Sequence, residues 1–342
     1  MVMNRNTVEK TLLTIAIPTY NHSDYLRFMF HNLEMQGCDA TLYVLDSSTS
    51  SDTKELCEHI HNLRIEYYHF EKTCTAEEKC FFAMRKYKTP YLWICGDGLI
   101  PEIHTVCCEI IDESIDLLHL VNTDARDTRQ YYSRRKLPYY IKYSDVALFF
   151  RDFFWTATFM GATIINRRLS NTILQKVGED KYKGTGFDII CSVLDALSHE
   201  KGNIVAKGMH YYIPNPLKKE AIWMNSKAVF EIWSRQMPQA VRKLPSIFAP
   251  FYDAVIKNTA VNNNYLSFRG LIRWRSKNIY TMKIEKEYEG DLDFVSNVPR
   301  ILRKLIALMP VCLCRCIFIP ISIRNSLKRE KIRKIMKGCE EI

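Results

Sequence analysis

The sequence predicts an α/β fold: a mainly parallel central sheet flanked by helices, followed by a helical C-terminal extension. Three observations predict it. Short apolar, β-branched runs alternate with amphipathic helical patterns from Thr11 onward, the signature of units that build parallel sheets. Asn21, Asp46 and Asp97 each stand just past the end of one of those predicted strands, and in such sheets ligands gather outside the carboxyl ends. From about Pro216 the alternation fades into helical patterns alone, which divides the chain into residues 1–215 and a basic extension, 216–342.

The elements follow in order. Thr11–Pro18 is apolar, β-branched and closed by Pro, so it reads as a buried strand. Tyr20–Ser23 is a turn, with Ser23 as the expected cap of a helix over Asp24–Met35 that places Leu26, Met29, Phe30 and Leu33 on one face; Gly37 ends it. Strands are predicted at Ala40–Leu45, Arg64–Phe70 and Tyr91–Cys95, with helices between them at Thr53–Asn62 and Thr75–Lys86. A helix at Glu102–Glu113 and a strand at Ile115–Asn122 lead into a long polar and aromatic loop, Thr123–Tyr143. A helix around Ser144–Phe153, a strand at Ala162–Asn166, a polar loop at Gly178–Gly186 and a helix at Asp188–Ser198 complete the series.

Composition narrows the class. At 342 residues with 47% hydrophobic and 25% charged residues, the chain has the profile of a globular protein with a sizeable core. From Arg269 to Ile342 there are 17 Lys and Arg against 8 Asp and Glu, so nearly all of the +10 net charge sits in the last quarter and predicts an anionic partner there. No zinc-finger, helix-turn-helix or RNP-like motif supports nucleic acid as that partner. Met1–Lys10 is polar and lacks an apolar core, which argues against a secretory signal, and the scattered cysteines are read as reduced thiols. Cys312, Cys314 and Cys316 alternate without a second ligand pair nearby, which is not a zinc spacing.

Three motifs carry a family resemblance. IAIPTYN at Ile15–Asn21, VLDSSTSSDT at Val44–Thr53 and PYLWICGDGLIP at Pro90–Pro101 stand in the order and at the spacing found in family 2 glycosyltransferases, and the likeness extends over Thr11–Tyr212. The resemblance implies a GT-A fold, a nucleotide-diphosphate sugar as donor (UDP by default) and a glycan or lipid-linked acceptor in bacterial surface polysaccharide synthesis. It implies that Pro18, Tyr20, Asn21 and Asp46 line the nucleotide pocket. Gly96 and Asp97 then stand at the diphosphate, with Asp97 on a divalent metal, Mn2+ or Mg2+. A hard cation held by a carboxylate suits a diphosphate, because it neutralises charge on the leaving group. The chain departs from the family in having one Asp followed by Gly where two or three acidic residues are common, so a further metal ligand is expected. His210 is the candidate, against its plain reading as a buried or surface His.

Inverting transfer also needs a base for the acceptor hydroxyl. By the resemblance this is Asp188, at the start of a predicted helix with Phe187 in place of the family's Glu, or else Asp180; the plain reading of Asp188 is a helix cap. Trp155 is the candidate acceptor platform, although the run Phe149–Phe159 equally fits a core. In Pro299–Ser322 an apolar stretch is broken by Arg315, Pro310 and Pro320, which fits a segment lying in a membrane interface better than one crossing it. The expected location is the cytoplasmic face of the plasma membrane, as a peripheral protein. The competing class is a degenerate sugar-nucleotide-binding domain without catalysis.

Overall fold

The computed structural model describes residues 11–111, 114–122, 140–209, 212–217 and 226–317, and these form two compact units. The first comprises residues 1–149, 156–181 and 192–215. Its strands are β1 (Leu13–Thr19), β2 (Thr41–Asp46), β3 (Arg64–His69), β4 (Tyr91–Ile94), β5 (Leu99–Pro101), β6 (Leu117–Asn122), β7 (Tyr140–Tyr143), β8 (Thr163–Asn166), β9 (Ile204–Met209) and β10 (Tyr212–Pro214). Among the described residues, eight of them form one sheet in the order β3-β2-β1-β4-β8-β6-β9-β7, and β10 pairs with β5. The run β3-β2-β1-β4 is parallel throughout, whereas β8 pairs antiparallel with both β4 and β6.

Every residue of β1 is buried, as a strand covered on both faces requires. Ile15 and Ile17 join Leu42, Val44 and Trp93 from neighbouring strands in the core. Helix α1 (Ser23–Met35) adds Leu26, Met29, Phe30 and Leu33, all fully buried, as its periodicity predicts. Its ends are instructive. His22, not Ser23, occupies the cap position, and no side chain caps the helix there; the imidazole is engaged elsewhere. At the other end Gly37 turns left-handed at φ 61°, and the Cys38 amide reaches back to the Leu33 carbonyl at 3.0 Å, the closing bond of a Schellman motif. Helix α2 (Asp52–Glu58) is shorter than expected, while α3 (Ala76–Lys86) begins with a full capping box between Thr75 and Glu78.

The remaining differences have local causes. Tyr140–Tyr143, expected as loop, is a strand: its aromatic and β-branched residues pair antiparallel with β9 at the sheet edge. The rest of that predicted loop, 123–139, lies outside the described residues. The three-residue strands β5 and β10 are too short to show a period, and helix Arg167–Thr172 is started by the Asn166 side chain, which accepts from the Leu169 amide.

The second unit comprises residues 150–155, 182–191 and 216–342, so it takes two earlier segments in addition to the C-terminal extension. The aromatic run explains one of them: Phe150 packs edge-on against Phe154 and Phe248, with ring centroids 5.2 and 5.1 Å away. Helices Tyr252–Asn262, Phe268–Ser276, Met282–Glu287, Glu289–Val295 and Arg300–Leu308 follow. They enclose a buried ion pair, Arg303 with Glu285 at 3.2 Å, completed by the Tyr280 hydroxyl and the Val298 carbonyl. No described helix is long and apolar enough to cross a membrane.

Gly37→Ala tests the helix end. A Cβ there meets no neighbour within 4 Å, so the cost is that of the left-handed backbone alone, about 1 kcal/mol. Urea unfolding should show that loss, and Gly37→Asn should lose less.

Candidate functional site

Parallel pairing brings Thr19, Asp46 and His69 into register at the carboxyl ends of β1, β2 and β3. Asp46 is fully buried there. Its Oδ1 accepts from the Ser48 amide at 2.8 Å and the Ser48 hydroxyl at 2.5 Å, and its Oδ2 accepts from the Tyr67 hydroxyl at 3.0 Å. Burial, then the bond to Asp46, raises the Tyr67 phenol above its ordinary range. Asp46 therefore shapes the loop after β2 instead of facing an open pocket directly.

That loop is clasped to the one after β1. Asn21 adopts a left-handed conformation, φ 54°, which Asn tolerates better than most residues. Its amide donates to Ser48 Oγ at 2.7 Å, and its side-chain oxygen accepts from the Thr49 amide at 3.1 Å. Underneath, α3 inserts Lys79, buried, whose ammonium donates to the Thr19 carbonyl at 2.8 Å and the Ser47 hydroxyl at 2.6 Å. Burial pulls the Lys79 pKa down, and nearby charges, Asp46 and Asp97 among them, oppose that pull.

Asp97 lies in the turn after β4, which is closed by the Leu99 amide on the Gly96 carbonyl at 3.1 Å. Its Oδ2 accepts from the Thr19 hydroxyl at 2.9 Å and pairs with His22 Nδ1 at 2.8 Å. The His22 ring stacks on Tyr25 at 4.3 Å, and Asn215 braces the turn by bonding both the Gly98 and Tyr25 carbonyls. At Gly96 a Cβ would meet nothing nearer than Met160 Sδ at 3.9 Å, so no neighbouring side chain demands glycine there.

Beside the clasped loops lies an open hollow of about 610 Å3, within the range of small-ligand sites. Ser47 through Ser51 form one wall; Tyr67, His69, Phe70, Lys54 and Lys72 form the rest. Hydroxyls, aromatic faces and two ammonium groups make it suited to a polar, anionic ligand with a stacking ring.

The structure thus brings Asn21, Asp46 and Asp97 to one edge. Pro18 pairs within β1 opposite Leu45, and Tyr20 is exposed just beyond it. Asp180 is exposed on the loop after Gly178, where its neighbour Glu179 pairs with Arg85. Asp188 and Trp155 belong to the second unit. The Asp188 carboxylate is buried and accepts from the Thr185 hydroxyl at 3.0 Å and the Gly184 amide at 3.3 Å; Trp155 is half-buried. His210 lies outside the described residues. Sequence reasoning missed Thr19, His22, Ser48, Tyr67 and Lys79. Thr19 and His22 adjoin residues it named and Ser48 lies two positions past Asp46, so proximity was their available signal; Lys79 sits inside an ordinary helical pattern and gave none.

Among the described residues no three His, Cys, Asp or Glu side chains converge on a cation position. Asp97 with His22 offers one carboxylate and one imidazole. Mg2+ and similar hard cations keep several waters and need only one or two protein carboxylates when phosphate oxygens complete the shell. The donor set therefore fits an ion shared with a bound diphosphate and does not fit one caged by these side chains alone.

No protein-family model matches the chain, and no curated protein matches it in sequence. Solved structures do match it in fold. TarS of S. aureus, residues 1–349, aligns with a TM-score of 0.52 at 12% identity, over 86% of this chain and 90% of that one. The mannosyltransferase PcManGT from Pyrobaculum calidifontis, solved with GDP-Man and Mn2+, aligns at 0.48 and 12% over 91% and 87%. Glucosyl-3-phosphoglycerate synthase from Mycobacterium tuberculosis, with Mn2+, UDP and phosphoglyceric acid, aligns at 0.44 and 13% over 69% and 80%. At 12% identity the likeness to TarS is one of fold: the chain has the GT-A α/β fold, a central sheet flanked by helices, with a helical C-terminal part.

Lys79→Met should destabilise the first unit by about 1–3 kcal/mol, because it leaves a buried carbonyl and hydroxyl without their donor. Lys54→Met, at an exposed position, should stay within about 0.5 kcal/mol. Denaturant midpoints of the two variants measure the difference.

Proposed function

We propose that this protein is a glycosyltransferase of the family 2 type. It moves a sugar from a nucleoside-diphosphate donor, UDP-linked, to a glycan or lipid-linked acceptor, with inversion, in surface polysaccharide synthesis at the cytoplasmic face of the plasma membrane. The observation that carries this reading is the carboxyl edge of a GT-A sheet on which the Asp97 turn, tied to Thr19 and His22, adjoins the loops clasped by Asn21 and Asp46. The hollow beside those loops takes the nucleoside, its base against Tyr67 and its hydroxyls on the Ser47–Ser51 loop. Asp97, held by Thr19 and His22, would hold a divalent cation, Mn2+ or Mg2+, on the diphosphate side. When bound, such an ion would supply neutralising charge to the leaving nucleoside diphosphate. Thr19 and His22 fix the carboxylate so that little reorganisation is needed when the diphosphate arrives.

One observation favours a second reading. The single carboxylate of the turn already carries two protein partners, which suits a domain that binds sugar nucleotides without turning them over. Calorimetric titration of UDP and GDP, with and without Mn2+, into wild type and Asp97→Ala separates the cases. The proposal expects metal-dependent binding of one nucleotide, lost in the variant, together with turnover of the matching sugar nucleotide. Binding without turnover on any acceptor supports the second reading, and no binding by folded protein contradicts both.

The family resemblance is what supports Asp188 as the base in this reading. Asp188→Asn should lower kcat by about 10²–10⁴-fold while leaving nucleotide affinity unchanged. Asp180→Asn should leave both nearly as in wild type; the reverse result moves the role to Asp180.

A further inference from the structure

Helix Arg300–Leu308 has two unlike sides. Arg303, Ile306 and Ala307 are buried. On the other side Ile301, Leu305 and Leu308 are 76%, 56% and 64% exposed, at the i, i+4, i+7 spacing of a single face. After a break at Met309 and Pro310, residues 311–317 form a further helical segment, with Cys314 buried and Leu313 and Ile317 about half exposed. With Leu302, this short stretch holds six of the thirteen exposed large apolar side chains among the described residues. Single exposed leucines need no explanation, but several gathered in one short stretch, three of them on one helix face, mark an interaction surface.

Charge identifies what covers it. Between residues 300 and 342 there are eleven Lys and Arg against three Glu, and seven of the eleven follow the apolar face, from Arg324 on. An aliphatic stripe continued by a polybasic run matches an anionic lipid surface: acyl chains take the leucines and headgroups take the cations. Its exposed large apolar side chains are Ile and Leu only among the described residues, without the aromatic anchors that concentrate binding energy in protein interfaces. No described helix can span a bilayer, so the helix lies along the surface. We infer that the Ile301–Leu305–Leu308 face, extended by Leu313 and Ile317, docks this protein on an anionic membrane. The inference does not depend on the donor site and stands or falls separately from it.

The test is co-sedimentation of the full chain with vesicles of phosphatidylcholine, alone or mixed with phosphatidylglycerol. Wild type should bind the phosphatidylglycerol vesicles in a salt-sensitive manner. Leu305→Glu combined with Leu308→Glu should weaken that partitioning by at least about tenfold, since each removes an inserted side chain. Both positions are exposed, so the variant's thermal midpoint should match wild type; Ile301→Gln, measured identically, serves if it does not. Wild type remaining unbound to both vesicle types, or variants that bind as wild type does, would overturn the inference. So would a wild-type dimer in sedimentation velocity that the substitutions dissociate without altering vesicle binding, since the face would then belong to a second copy.

Discussion

Both oxygens of Asp46 are used inside the protein, and the arrangement of the carboxyl edge follows from that. Hydrogen bonds to a charged acceptor contribute about 1.5–3 kcal/mol each, and Asp46 accepts three. Two come from Ser48, which folds the chain sharply back after β2; the third ties in β3 through Tyr67. Ser48 in turn accepts the Asn21 amide, so a carboxylate on one strand fixes the loop of its neighbour. Lys79 holds the same two loops from below through Thr19 and Ser47. The wall of the hollow is therefore set before any ligand arrives, which lowers the ordering cost of binding.

The Asp97 turn is held in the same manner but more openly. Thr19 ends β1 with its carbonyl on Lys79 and its hydroxyl on Asp97, and so couples the clasped loops to the turn. His22 stands where a helix-capping residue is usually found, and its side chain makes no cap to α1. That arrangement gives up a cap, typically worth about 1 kcal/mol, to place an imidazole on the carboxylate. Departures of this kind from the locally favoured choice are expected at functional sites.

Much of this was legible in the sequence because strand ends are legible. Period and composition located β1 to β4, and a polar residue after an apolar run marks where a parallel sheet gathers ligands; Asn21, Asp46 and Asp97 were found this way. The role of Asp46 was not legible. Spacing alone cannot tell a carboxylate that faces a ligand from one that faces its own loop, since the difference lies in Tyr67, twenty-one residues further on. Lys79 was hidden for a similar reason: its position reads as surface helix until the loops it holds are in place. Likewise the interrupted apolar run near the C-terminus suggested a membrane interface, but which of its residues face outward depends on how Arg303 is buried against Glu285.

The central claim is that the carboxyl edge around Asp46 and Asp97 activates a nucleotide sugar. It is tested most directly by incubating the protein with a panel of nucleotide sugars and Mn2+, and following nucleoside diphosphate release by chromatography. The account predicts release from one donor, slow without acceptor and abolished in Asp97→Asn, a change that keeps the side chain's size. Release that is undiminished in Asp97→Asn would contradict it.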